Sequence, residues 1–200
     1  MLKIAISGKA NSGKNTLTNF IIKELDTELE PWKFKVVAFA DPIKRMIQEM
    51  FPQCSEEALY GSSKLRQNKI SSILDQYAAH QLNATYRQAS VDIGKLGRNY
   101  HSNFWIWHAQ LELDRIRKNH PEIQAFIVSD LRFPNELEWL KSENFILCRI
   151  KRNTGTQIDD ISETIQDSIP DDVFDFIIDN NSSIEHLKNQ GNQIVRSIRH

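Results

Sequence analysis

Gly8, Gly13 and Lys14 are spaced so that a short loop could wrap an anion and deliver a full positive charge to it. In the segment SGKANSGKNT, four residues separate the glycines and a lysine follows the second. Glycines remove the Cβ atoms that would block close approach. The backbone N–H groups from Gly8 through Ala10, Asn11, Ser12, Gly13 and Thr16 can then converge on one phosphate group. A helix starting at Lys14 would add the partial positive charge of its N-terminus. Asn15 stands where a serine or threonine hydroxyl would ordinarily bind magnesium. Its amide oxygen is still a hard ligand, direct or through water, and Thr16 next to it offers a hydroxyl to a phosphate. The plainer alternative is a strand-to-helix turn that needs glycine, with Lys14 solvated.

Transfer of a phosphoryl group needs a second anion held in line, hence further cations away from the loop. The segment FIVSDLRFPNE puts Asp130 and Arg132 at a strand's C-terminal edge, where open α/β sheets bind ligands. Asp130 is expected to face the loop and hold a metal water or orient Lys14. Arg132 can grip phosphate oxygens with a forked pair of hydrogen bonds. Glu136 is placed either to accept from a substrate, to fix an arginine, or to cap its own helix, and Asp130 shares the capping alternative. Arg87, Lys95 and Arg98 surround Gly94 and Gly97, followed by Trp105, so a basic patch meets a ring able to stack on a base. For Trp105 and Trp107 the other reading is core packing. Lys44 and Arg45 are either ligating or solvated. The six histidines show no metal-ligand spacing.

These residues need a scaffold that brings strand ends together. Apolar runs at Leu2–Ser7, Phe34–Phe39, Gln124–Ser129, Phe145–Ile150 and Phe174–Ile178 are near-continuous, as in strands covered on both faces. Helical patterns fill the intervals: Lys14–Leu29, Pro42–Met50, a region from Ser63 to Asn119 with breaks near Gly94–Gly97, Pro134–Ser142, and about Ser183–Ser197, with Ser182 and Ser183 as cap candidates. Such alternation implies an α/β fold with a mainly parallel sheet.

Two hundred residues suffice for a core without metals or disulfides, and a net charge of -1 calls for neither nucleic acid nor a membrane as partner. Cys54 and Cys148 fit buried or incidental thiols in a reducing compartment. No apolar stretch reaches membrane-spanning length and no signal segment opens the chain, so a cytoplasmic location is expected.

Taken in order, SGKANSGKNT, FADPIKRMI, the Arg87–Arg98 segment, SDLRFPNE, DISE and FIIDNNSSIEHL resemble the deoxynucleoside monophosphate kinases of bacteriophages, within the P-loop nucleoside monophosphate kinase group. The resemblance implies a P-loop NTPase three-layer sandwich with a five-stranded parallel sheet. One domain would comprise a core of 1–50 and 120–200, a helical acceptor-binding insert at about 51–119 and a lid at about 152–170. It also implies ATP and Mg2+, small-molecule nucleotides as partners, the host cytoplasm if phage-encoded, and room for a homodimer. Lys14, Arg132, Asp130 and Arg98 would be catalytic. Lys44, Arg87, Gly94, Lys95, Arg98, Trp105, Asp130, Arg132 and Glu136 would line the acceptor site, with Arg152 and Glu163 on the lid. Asn15, Thr16 and Asp130 would serve the metal. Asn15-Thr16 looks like a variant of the family's Asp-Thr pair. Gly94-Lys95 departs from a common Gly-Thr pair, in a segment one residue shorter, which bears on the acceptor's identity. The expected reaction moves the γ-phosphoryl group of ATP to a (deoxy)nucleoside monophosphate. Alternatives are a phosphomevalonate-like acceptor, because phosphomevalonate kinase has a similar SD-x-R stretch, and a non-catalytic nucleotide switch.

Overall fold

The computed structural model describes residues 1–27, 31–61, 65, 68, 70, 85–153 and 161–199, without the side chains of 161–163. In chain order the elements are β1 (Leu2–Ser7), α1 (Lys14–Leu25), β2 (Phe34–Val37), α2 (Asp41–Met50), α3 (Glu56–Tyr60), α4 (Tyr86–Tyr100), α5 (Phe104–Asn119), β3 (Ala125–Leu131), α6 (Pro134–Ser142), β4 (Ile146–Lys151), α7 (Ile161–Asp167), β5 (Phe176–Asp179) and α8 (Ile184–Arg199). They form two compact units: Met1–Phe39 with Ala109–His200, and Ala40–His108.

The first unit is an α/β fold built on a five-stranded sheet in the order β2-β3-β1-β4-β5, with every pair parallel. Ile4, Ile6, Ile127, Cys148, Ile150 and Ile178 from the strands meet Leu17, Ile21 and Leu25 of α1 and Leu187, Ile194 and Val195 of α8 in one buried cluster. That cluster covers one face; on the other, Ala5, Phe126, Val128 and Leu147 are buried, with Phe126 against Phe145 and Phe145 against Trp139 of α6. Cover on both sides is why the strands are apolar almost throughout. Gly191 permits close packing of α8 on α1, since a Cβ there would sit 3.3 Å from Phe20 Cβ.

Parallel register fixes what lies beside the glycine loop. Ala5 pairs with Val128, yet Ser7 pairs with Leu131, so β3 carries one residue more than β1 over this interval. This is a β-bulge, a device that re-aims a strand end. Asp130 and Arg132 therefore bracket the residue level with Ser7, immediately before the loop. On the other side, Ser7 pairs with Arg149 of β4.

In the second unit, Ile43 and Ile47 of α2 pack with Leu59, Ile70, Tyr86 and Trp105. The short α3 is capped by the Ser55 hydroxyl, which accepts the Ala58 N–H at 3.2 Å. The expected break near Gly94–Gly97 does not occur, because α4 runs unbroken through both glycines and ends at Tyr100. Tertiary contacts outweigh glycine's weak helix propensity here. A Cβ on Gly97 would lie 2.4 Å from the Trp105 ring, and one on Gly94 would lie 3.4 Å from Ile43 Cδ1. The strand ends also move: β2 stops at Val37, β3 extends to Leu131, β4 extends to Lys151, and β5 begins at Phe176 and ends at Asp179. Among the described residues no helix is long and apolar enough to cross a membrane.

Candidate functional site

The loop from Gly8 to Gly13 joins the central strand β1 to the N-terminus of α1. Gly8 is forced by close approach, since a Cβ would lie 2.5 Å from Ile150 Cγ2 and 2.8 Å from the Ile150 carbonyl oxygen. Gly13, the N-cap of α1, has φ 100° and ψ 18°, a left-handed conformation that L side chains rarely adopt. Asn11 is also left-handed at φ 61°, a conformation asparagine tolerates better than most residues.

The N-cap Gly13 has no side chain to cap α1, and the first turn holds no acidic residue. The helix end thus keeps the donors and partial positive charge that an anion would use. Lys14 Nζ donates to the carbonyls of Gly8 at 2.7 Å and Lys9 at 2.8 Å, so the ammonium is folded back over the loop. Asn15 is exposed and Thr16 half-buried on the same first turn. The hydroxyls of Ser7 and Ser12 are buried without a hydrogen-bond partner among the described residues.

At the neighbouring edge of β3, Asp130 Oδ1 accepts the N–H of Phe39 at 2.7 Å. Arg132 is half-buried. Glu136 is buried, and its Oε2 accepts the N–H groups of Arg132 at 2.8 Å and Phe133 at 3.0 Å. The capping alternative accounts for this residue, because its carboxyl satisfies backbone donors at the entrance to α6. Burial, followed by the Asp130 carboxylate, pushes the Glu136 carboxyl up to about 8, against the pull of those two N–H bonds.

Two residues that the sequence reading passed over support the loop and its surroundings. Asn180, just past β5, donates from Nδ2 to the Ser12 carbonyl at 2.8 Å while its own N–H donates to the Lys151 carbonyl at 2.8 Å. Arg149 on β4 donates to the carbonyls of Ile169 at 2.7 Å and Gln166 at 3.0 Å and to Asp171 at 2.8 Å, with its guanidinium 4.2 Å from the Phe174 ring centre. Hydrogen bonds from Lys151 and then Arg149 hold the Asp171 carboxyl below its usual range. Within the loop, Lys9 pairs with Asp167 of α7 at 2.9 Å. Nothing local in FIIDNNSS signals Asn180, because its partner is 168 positions away. Its neighbour Ser183 does cap α8 as expected, accepting the His186 N–H at 3.1 Å. Arg152 is exposed, and much of the expected lid, with the Glu163 side chain, lies outside the described residues.

In the second unit α4 carries Arg87 and Arg98, both half-buried, and an exposed Lys95. The Arg98 guanidinium folds back along the helix, with Nη2 3.3 Å from where a Gly94 Cβ would stand. Trp105, expected to stack on a base, is instead 4% exposed, packed against Gly97, with Nε1 donating to the Gly94 carbonyl at 3.0 Å. Core packing accounts for Trp105. Trp107 is the exposed ring and stacks on His101 at 4.4 Å between centres. Lys44 pairs with Asp41 at 3.3 Å and lies 4.5 Å from the Tyr60 ring centre, whereas Arg45 is exposed.

Among the described residues no group of three or more His, Cys, Asp or Glu side chains could hold a metal ion. The oxygen donors at hand, from Asn15, Thr16 and Asp130, are hard ligands of the kind magnesium takes alongside phosphate oxygens and water.

No family model matches the chain, and no curated protein matches it. Among solved structures it is similar to a dephospho-CoA kinase from Campylobacter jejuni, at 16% identity with a TM-score of 0.48, over 98% of this chain and 96% of that one.

Proposed function

We propose that this chain is an ATP-dependent phosphotransferase whose acceptor is a (deoxy)nucleoside monophosphate. The observation that carries this reading is the loop. Its left-handed Gly13 opens α1, Lys14 lies over the loop carbonyls, and Asp130 and Arg132 bracket the residue of β3 that pairs with Ser7, immediately before the loop. A glycine turn of purely structural use has no need of an ammonium folded over it.

The acceptor oxygen attacks the γ-phosphorus as the bond to the β–γ bridging oxygen breaks, and that electron pair leaves with ADP. Because the acceptor oxygen already belongs to a phosphate anion, no strong general base is required. Loop amides fix the β- and γ-phosphates. Lys14 gives up its carbonyl partners to neutralise charge that builds on the transferring group, and Arg132 fixes an equatorial oxygen. Magnesium, when bound, neutralises phosphate charge; Asn15, Thr16 and Asp130 would hold it directly or through water. The cations Lys44, Arg87, Lys95 and Arg98 are assigned to the acceptor's phosphate. The buried Trp105 is not assigned to the base.

ADP formation from magnesium-ATP, measured over a panel of deoxy- and ribonucleoside monophosphates with phosphomevalonate included, tests this reading. Turnover with one or more nucleoside monophosphates is expected. Turnover with phosphomevalonate alone would replace the acceptor class. Tight ATP binding with no turnover on any acceptor would make the chain a nucleotide switch.

A further inference from the structure

Asn180 is 168 positions from Ser12 in sequence, yet its side chain is buried against the loop, with Nδ2 2.8 Å from the Ser12 carbonyl. It is anchored from behind, since its backbone N–H donates to Lys151 O and β4 pairs with β5 through Lys151 and Asp179. The fit leaves no slack, because a Cβ on Gly13 would come within 2.5 Å of the same Nδ2 atom.

A trans peptide is planar, so its C=O and N–H point in opposite directions; no peptide among the described residues is cis. Holding the Ser12 carbonyl toward Asn180 therefore turns the Gly13 N–H to the opposite side of the same peptide plane. We infer that Asn180 is a positioning residue for phosphate binding, fixing the Ser12–Gly13 peptide so that the Gly13 amide is presented to the nucleotide's phosphates. The inference rests on the phosphotransferase reading above and goes beyond it, because it gives a role to a residue which that reading does not use.

The chemistry requires an amide at this position. Aspartate has nearly the same shape but offers only acceptors when ionised, so it would repel the Ser12 carbonyl and add negative charge beside the loop. Alanine removes the hydrogen bond without adding charge. Both substitutions should let the peptide rotate and lose the aimed donor.

The test uses the full chain and inorganic tripolyphosphate as probe, with binding followed by calorimetry and thermal midpoints recorded without ligand. In Asn180→Asp and Asn180→Ala the dissociation constant should rise on the order of 10-fold or more, the scale of one lost charge-assisted contact. Variants that fold and bind tripolyphosphate as tightly as the unaltered chain, whatever their midpoints, would show a merely structural contact and overturn the inference. A readout without substitution covers variants that fail to fold. The Gly13 amide proton of the unaltered chain should move downfield when tripolyphosphate is added, and a resonance that stays put overturns the inference. If the unaltered chain binds neither tripolyphosphate nor ATP, the phosphotransferase reading fails and this inference with it. If the unaltered chain transfers phosphate and the variants bind normally, only this inference fails.

Discussion

The buried carboxyl of Glu136 holds the backbone N–H of Arg132 at 2.8 Å, so the backbone of this arginine is fixed by an acid raised to about 8. Because the folded-state value lies above the ordinary 4.5, this group's contribution to stability is fully present below about 4.5 and is lost as pH rises through about 8. Glutamine keeps an acceptor for the two N–H groups and cannot ionise. Glu136→Gln should therefore match the parent near pH 5 and exceed it at pH 9, by roughly 1–3 kcal/mol. Thermal midpoints across this range check the point; a difference that does not vary with pH would remove the buried acid from the account.

Lys14→Met deletes the ammonium now shared by the Gly8 and Lys9 carbonyls. Turnover should fall by about 10³-fold or more, because the charge acts mainly on the transition state, with little change in the circular dichroism spectrum. Near-normal ADP formation in this variant is the outcome that would sink its role.

At Asn15, exposed on the first turn of α1, restoring a charge or hydroxyl should alter the metal requirement before anything else. Asn15→Asp should lower the magnesium concentration for half-maximal turnover, and Asn15→Ser should also shift it. Titrations that superimpose on the parent would take this position out of the metal shell.

Gly97→Ala sets two effects against each other. Alanine favours the helix by about 1 kcal/mol, but its Cβ would lie 2.4 Å from the Trp105 ring and 2.9 Å from Phe104 Cδ1. Overpacking should win, costing about 1–3 kcal/mol and changing the tryptophan fluorescence. A raised midpoint with an unaltered emission spectrum would mean that the ring is not wedged against α4.

These cases also mark how far local sequence carried. The strand-to-helix turn at Gly8 and Gly13 was legible because glycine spacing is itself local, and Pro134–Ser142 was legible because proline at a helix start is a local rule. The α4 glycines misled for the opposite reason. Their cost to the helix is local, but the Trp105 ring that leaves no room for a Cβ at Gly97 comes from another element. Asn180 was illegible because its partner is a backbone carbonyl at the far end of the chain. The β3 bulge was invisible too, since it exists only against the register of β1.

The placement of β1 has a consequence for how the chain is made. β1 precedes every other strand of the sheet yet sits in its middle, and its neighbours begin only at Ala125 and Ile146. The helix that covers α1 and the asparagine that pins the loop come later still, with α8 ending at Arg199. Until then the nascent chain carries Ile4, Ile6, Leu17 and Ile21 without their native cover, with both edges of β1 open to pairing with strangers. The glycine loop is made well before the elements that pack around it, and a chain truncated before α8 should aggregate rather than fold.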